Sequence, residues 1–191
     1  MNLNTQAWSR SFYFAIILAL LLFIPAGTIR YWQAWGYLML FFGASSGNTI
    51  YLMKNDPALL MRRMHAGPRA EKSKTQKIIM LFAITSFAAI FIVSALDYRF
   101  KWSPAPLFAV VVGYISVAIG FVMTFFVVKE NTFASATIEV SKDQKVISSG
   151  LYAIVRHPMY TGGVLIIIGT PLALGSLSGF IVSVISIIWI I

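Results

Sequence analysis

Cysteine is absent from the sequence, which removes disulfides, thiolate nucleophiles and cysteine-ligated metals together. Histidine is nearly as scarce, with only His65 and His157, and no metal site is expected from so thin a ligand set. Acidic residues are few: 6 Asp and Glu stand against 15 Lys and Arg, and charged residues make up only 11% of the 191. No two carboxylates stand at a spacing suited to shared acid–base work, so Glu130 reads as a solvated charge at a helix end. The net charge of +9 raises the question of nucleic acid, but the basic residues lie between apolar runs. An anionic membrane face is the expected partner, and no nucleic acid is expected. What the chain does have is hydrophobic residue, 59% of it, with a mean hydropathy of +0.81 that no water-soluble domain of this size would tolerate on its surface.

Apolar runs long enough to cross a hydrocarbon core of about 30 Å need roughly 20 helical residues each. The chain offers five clear candidates, 11–28, about 32–53, 78–96, 105–128 and one that starts at Pro158 and fades near Gly175. A sixth run follows the turn-like segment 175–179 and climbs to Ile191 with no basic or aromatic flank to close it, so the natural chain is expected to continue. The fold class is all-α, a polytopic transmembrane helical bundle forming one domain over 1–191, because strands in lipid would leave backbone groups unpaired unless they closed into a barrel. No cleavage-site pattern follows the first run, which is read as a retained helix.

Orientation follows from the loops. One side holds Arg10, Lys54, Arg62, Arg63, Arg69, Lys72, Lys74, Lys77, Lys129, Lys142, Lys145 and Arg156; the other holds Arg30, Arg99 and Lys101. That split places the N-terminus and both long loops in the cytoplasm. Tyr31, Trp32, Trp35 and Trp102 fall at the opposite interface, where amphipathic rings act as anchors.

The first long loop, 54–77, is basic and reads as a solvated segment near anionic lipid, and His65 within it argues nothing by itself. The second, 129–157, is mixed. Its half-apolar stretches, 131–140 and 146–152, are more than a linker needs, so it is expected to fold back on the bundle as a lid or pocket wall. It ends in Arg156-His157-Pro158-Met159-Tyr160, with Pro158 suited to a first helical turn. The free N–H groups of that turn, beside Arg156 and His157, favour an anionic group at the membrane surface. Gly162, Gly163 and Gly169 keep the helix slim for close packing or a flat ligand.

The run Gly150-Leu151-Tyr152-Ala153-Ile154-Val155-Arg156-His157-Pro158-Met159-Tyr160-Thr161-Gly162 resembles the signature of isoprenylcysteine carboxyl methyltransferases and related phospholipid methyltransferases. The likeness covers about 131–175; the earlier runs agree mainly in topology. It implies S-adenosylmethionine as cofactor, held by a cytoplasmic cofactor loop and motif helix within 129–175. By resemblance Gln144, Lys145, Val146, Ile147, Tyr152, His157, Pro158, Met159 and Tyr160 would line its pocket. Arg156 would orient an anionic acceptor or the cofactor carboxylate through paired hydrogen bonds. Two departures stand out: many relatives have Pro where this chain has Leu151, and relatives carry an acidic and arginine-containing segment after the last helix.

The implied activity is methyl transfer to a lipid-like or prenylated acceptor in the bilayer. Sterol reductases of membranes resemble the chain in an R-H-P motif that contacts NADPH, but they usually follow the Pro with Asn and place an acid soon after the Tyr. Met159 and Thr161-Gly162-Gly163 stand here instead. A non-enzymatic scaffold or transporter is the third reading; against transport of charged solutes, no ionisable residue lies at a span centre.

Overall fold

In a computed structural model the chain is described over residues 2–64, 73–133 and 147–190. Seven α-helices and one short 3-10 turn account for nearly all of it: α1 (Leu3–Ala26), α2 (Trp32–Asn55), α3 (Pro57–Met64), α4 (Lys74–Phe100), α5 (Leu107–Glu130), the turn Gly150–Ala153, α6 (Pro158–Ala173) and α7 (Leu177–Ile190). The all-α membrane bundle expected from composition is what the chain forms. The helices α1, α4 and α5 are long and apolar enough to cross a membrane, by length and composition. Phe108 and Met39 are more than 70% exposed, an outside built for hydrocarbon rather than water.

The expectation of five clear crossings is met only in part. The second run does form a 24-residue helix, but Gln33, Ser45, Ser46, Asn48 and Thr49 make α2 more polar than the three spans just named. The fifth is a helix of 16 residues, about 24 Å at 1.5 Å per residue, shorter than the hydrocarbon core. Two helices, α1 and α4, also start earlier than the apolar runs, because capping rather than hydropathy sets their ends. Asn2 accepts from the Asn4 amide to begin α1, and Gly27, at φ +67, ends it by donating to the carbonyls of Phe23 and Ile24.

The first long loop is not wholly a solvated segment. Asp56 accepts a hydrogen bond from the Leu59 amide at 2.9 Å and Pro57 follows it, a combination that starts a helix, so α3 folds back under the bundle. Its Leu59 and Leu60 are buried with Ala7, Leu52 and Val128.

The tightest helix pair is α5 against α6. Gly113 and Gly120, one heptad apart on α5, face Gly169 and Gly162 on antiparallel α6. A Cβ on Gly113 would stand 2.2 Å from the Ala173 nitrogen, and one on Gly120 would stand 2.6 Å from the Gly162 carbonyl oxygen. Removing four side chains lets the backbones touch, and dispersion replaces the hydrophobic drive that lipid cannot supply. Gly163 has nothing within 4 Å and takes no part in this seam.

At the end of the bundle away from α3, a polar knot closes the structure. Asp97, 1% exposed in the last turn of α4, accepts hydrogen bonds from Ser103 N at 2.7 Å, Ser103 Oγ at 2.9 Å and Ser176 Oγ at 2.5 Å. Ser176 Oγ in turn accepts from the Gly179 amide at 2.9 Å and so caps α7. Tyr31, expected as an interfacial anchor, is instead fully buried beside this knot: its hydroxyl donates to the Leu174 carbonyl at 2.5 Å and its ring stacks on Tyr98. Burial first, and the Asp97 carboxylate second, push the Tyr31 phenol far above the usual tyrosine range, so it remains a donor. Trp32, Trp35 and Trp102 are about half exposed, as anchors would be.

Candidate functional site

The glycine seam fixes the height of the motif helix. With Gly162 opposite Gly120 and Gly169 opposite Gly113, antiparallel register sets Pro158 level with Thr124. The N-terminus of α6 therefore lies roughly six residues, about 9 Å at 1.5 Å per residue, below the end of α5 at Glu130. The motif opens from a recess, overlooked by the end of α5 and the chain attached to it.

That overhang is pinned by side chains. Asn131, the residue that ends α5, donates through Nδ2 to the Tyr152 hydroxyl at 2.9 Å and accepts from the Phe133 amide at 2.9 Å. Glu130 accepts from Ser149 Oγ at 2.6 Å. Gly150, at φ +56, lets the chain turn there with its α-carbon hard against the same carboxylate. Arg62 of α3 donates to the Thr132 carbonyl at 2.5 Å, tying the first long loop to the start of the second.

Beyond the turn, Val155 N donates to Leu151 O at 2.9 Å, and Arg156 and His157 are both exposed as the chain enters α6. His157 occupies the N-cap position of α6 but its side chain makes no cap hydrogen bond. Its carbonyl accepts from the Thr161 amide at 3.0 Å. The imidazole meets the ring of Tyr160 edge to face, centroids 5.9 Å apart, and Tyr160 is 64% exposed. The result is an aromatic corner beside a helix N-terminus whose first N–H groups carry partial positive charge.

The expected site residues are thus distributed unevenly. His157 and Tyr160 come together at the mouth of the recess, and Arg156 adjoins them. Tyr152 is half-buried with its hydroxyl bonded to Asn131, Met159 and Ile147 are half-buried, and Pro158 is buried in the first turn of α6. Gln144, Lys145 and Val146 lie outside the described residues, as does His65. Asn131, Ser149 and the role of Glu130 carry no signal in the sequence, where Glu130 reads as a solvated charge. Their partners lie 19 to 21 residues away in the chain, and no periodicity signals such a pairing.

The class of protein is therefore a membrane-embedded helical bundle with a polar, recessed helix start at one end. Residues 108–191, from the start of α5 through the motif helix to the end of the sequence, match the phospholipid methyltransferase family, in one group of membrane methyltransferases with the isoprenylcysteine enzymes. The match spans 84 of the 191 residues. No curated protein and no solved structure matches the chain.

Proposed function

We propose that the protein transfers a methyl group from S-adenosylmethionine to a lipid-like acceptor that reaches the site from the bilayer, in the manner of isoprenylcysteine carboxyl methyltransferases. The observation that carries this reading is the recessed N-terminus of α6, with His157 and Tyr160 at its mouth, inside the segment that matches the family. The donor set fits the methyl donor. Its carboxylate suits the positive helix start and Arg156, and its adenine suits an aromatic corner left half open to solvent.

When bound, S-adenosylmethionine supplies an electrophilic methyl on a sulfonium. The chain's own contribution is placement. An acceptor carboxylate with a pKa of about 4 is already ionised at neutral pH and needs no general base. His157 and Tyr160 would hold the flat part of the donor, Arg156 would orient an anionic group, and the contacts Asn131–Tyr152 and Glu130–Ser149 would fix the end of α5 beside them. Holding two reactants in line is worth effective molarities of about 10⁵ to 10⁸ M, enough for a site with so few ionisable groups.

Calorimetry on the detergent-solubilised protein tests the reading. S-adenosylmethionine should bind and the affinity should fall at least tenfold in His157→Ala, while NADPH should give no heat. Tight NADPH binding without a response to the methyl donor would overturn it in favour of a reductase.

A further inference from the structure

The contact between Asn131 and Tyr152 has a direction. Both residues overlook the α6 recess, Asn131 where α5 ends and Tyr152 in the turn Gly150–Ala153. An amide side chain offers an oxygen on one side and an NH2 group on the other, and its neighbours decide which faces which. At Asn131 the decisive neighbour is the Phe133 backbone amide. A backbone N–H can only donate, so the atom it meets at 2.9 Å is Oδ1. Nδ2 is thereby turned to Tyr152, 2.9 Å away, and it too can only donate. The phenol is the acceptor of this bond.

A hydroxyl carries one hydrogen and two lone pairs. With a lone pair taken by Asn131, the hydrogen of Tyr152 is left over, and it meets no acceptor among the described residues. The nearby carboxylate of Glu130 is engaged by Ser149 instead. Tyr152 is half-buried, and a donor without a fixed partner there gains from an acceptor that arrives in the recess. The first N–H groups of α6, which open onto the same recess, and the neighbouring Arg156 are donors as well. S-adenosylmethionine is rich in the matching acceptors, with a carboxylate, ribose oxygens and purine nitrogens.

We propose that Asn131 is a positioning residue for the methyl donor: by donating to Tyr152 it keeps that phenol as a hydrogen-bond donor to an acceptor atom of S-adenosylmethionine. The inference rests on the methyl-transfer reading above and adds to it a residue outside the motif, acting through the polarity of one hydrogen bond.

Asn131→Asp tests it. Aspartate has nearly the same shape and keeps an oxygen for the Phe133 amide, but its second oxygen can only accept, so Tyr152 must turn its hydrogen towards it. The link between α5 and the turn survives as a charge-assisted bond, and melting in detergent should stay close to that of the parent. A contact that merely holds the turn would leave ligand binding unchanged. Calorimetry with S-adenosylmethionine should instead show an affinity about tenfold lower in Asn131→Asp, the effect of one lost hydrogen bond. Tyr152→Phe should lose a similar factor, and the two changes together should lose no more than Tyr152→Phe alone. Parent-like affinity in Asn131→Asp or in Tyr152→Phe would overturn the inference and leave the methyl-donor reading standing. A further loss on adding Asn131→Asp to Tyr152→Phe would also overturn it, because the effect would then belong to the new charge. Absence of binding by the parent protein would overturn both readings.

Discussion

Gly150 and Glu130 are in such close contact that a Cβ on the glycine would lie 2.0 Å from the carboxylate Oε2. The carboxylate can swing aside, but only by giving up its 2.6 Å bond from Ser149. The positive φ of Gly150 adds a second cost, about 1–2 kcal/mol for any L residue with a Cβ. Gly150→Ala should therefore loosen the turn that overlooks the α6 recess and weaken S-adenosylmethionine binding several-fold, with little change in helix content. Unchanged affinity in calorimetry would show that the turn takes no part in the site.

The glycine seam makes a sharper distinction among residues of one type. At Gly113 and Gly120 a Cβ would meet backbone atoms of α6, which cannot rotate away, whereas Gly163 faces open space. Overpacking costs of about 1–3 kcal/mol are expected for Gly113→Ala and Gly120→Ala. Gly163→Ala should be neutral or slightly stabilising through helix propensity. Thermal melts in detergent should separate the two groups by several degrees, and a common response would mean that the α5–α6 register is wrong.

Where residues were legible in the sequence, one dominant physical term governed them. Hydropathy alone announced a helical membrane bundle, since lipid leaves the backbone few other choices. Pro158 announced the start of α6 because few positions suit proline as well as a first helical turn. The reading failed where local and distant terms compete. Tyr31 has the composition of an interfacial anchor, yet a carbonyl 143 residues away captures its hydroxyl. Asp97 lies one residue past the apolar run that ends at Leu96 and was passed over; its partners come from the loop after α4 and the turn before α7. Glycines 162, 163 and 169 look alike in the sequence, and only the register of α5 reveals which of them touch it.

Asp97 offers a test of how the far end of the bundle is held. Asp97→Ala would strand Ser103 and Ser176 without their acceptor in a buried site, and hydrogen bonds to a charged group are worth about 1.5–3 kcal/mol each. The variant should melt several degrees lower than the parent, and Asp97→Asn, which keeps one acceptor oxygen, should fall between them. Equal melting of all three proteins would remove the knot from any account of stability.

The remaining prediction concerns which way the bundle faces. The ends of the helices alternate, so the start of α1, the ends of α2 and α5 and the start of α6 share one end of the molecule, tied together by Arg10 to Met64 and Arg62 to Thr132. That end carries most of the Lys and Arg, and basic residues are retained on the cytoplasmic side during insertion. It should therefore be cytoplasmic, placing the α6 recess where a soluble methyl donor can reach it. The absence of native cysteine allows a direct experiment, because a single introduced thiol is the only target for a membrane-impermeant maleimide. Ser148→Cys lies on the exposed loop beside the Gly150 turn, and Ile29→Cys on the exposed loop between α1 and α2 at the other end. In intact cells Ile29→Cys should be labelled and Ser148→Cys should not, and both should react once the membrane is opened with detergent. Labelling of Ser148→Cys from outside would invert the bundle and leave the proposed site facing away from the cytoplasmic pool of S-adenosylmethionine.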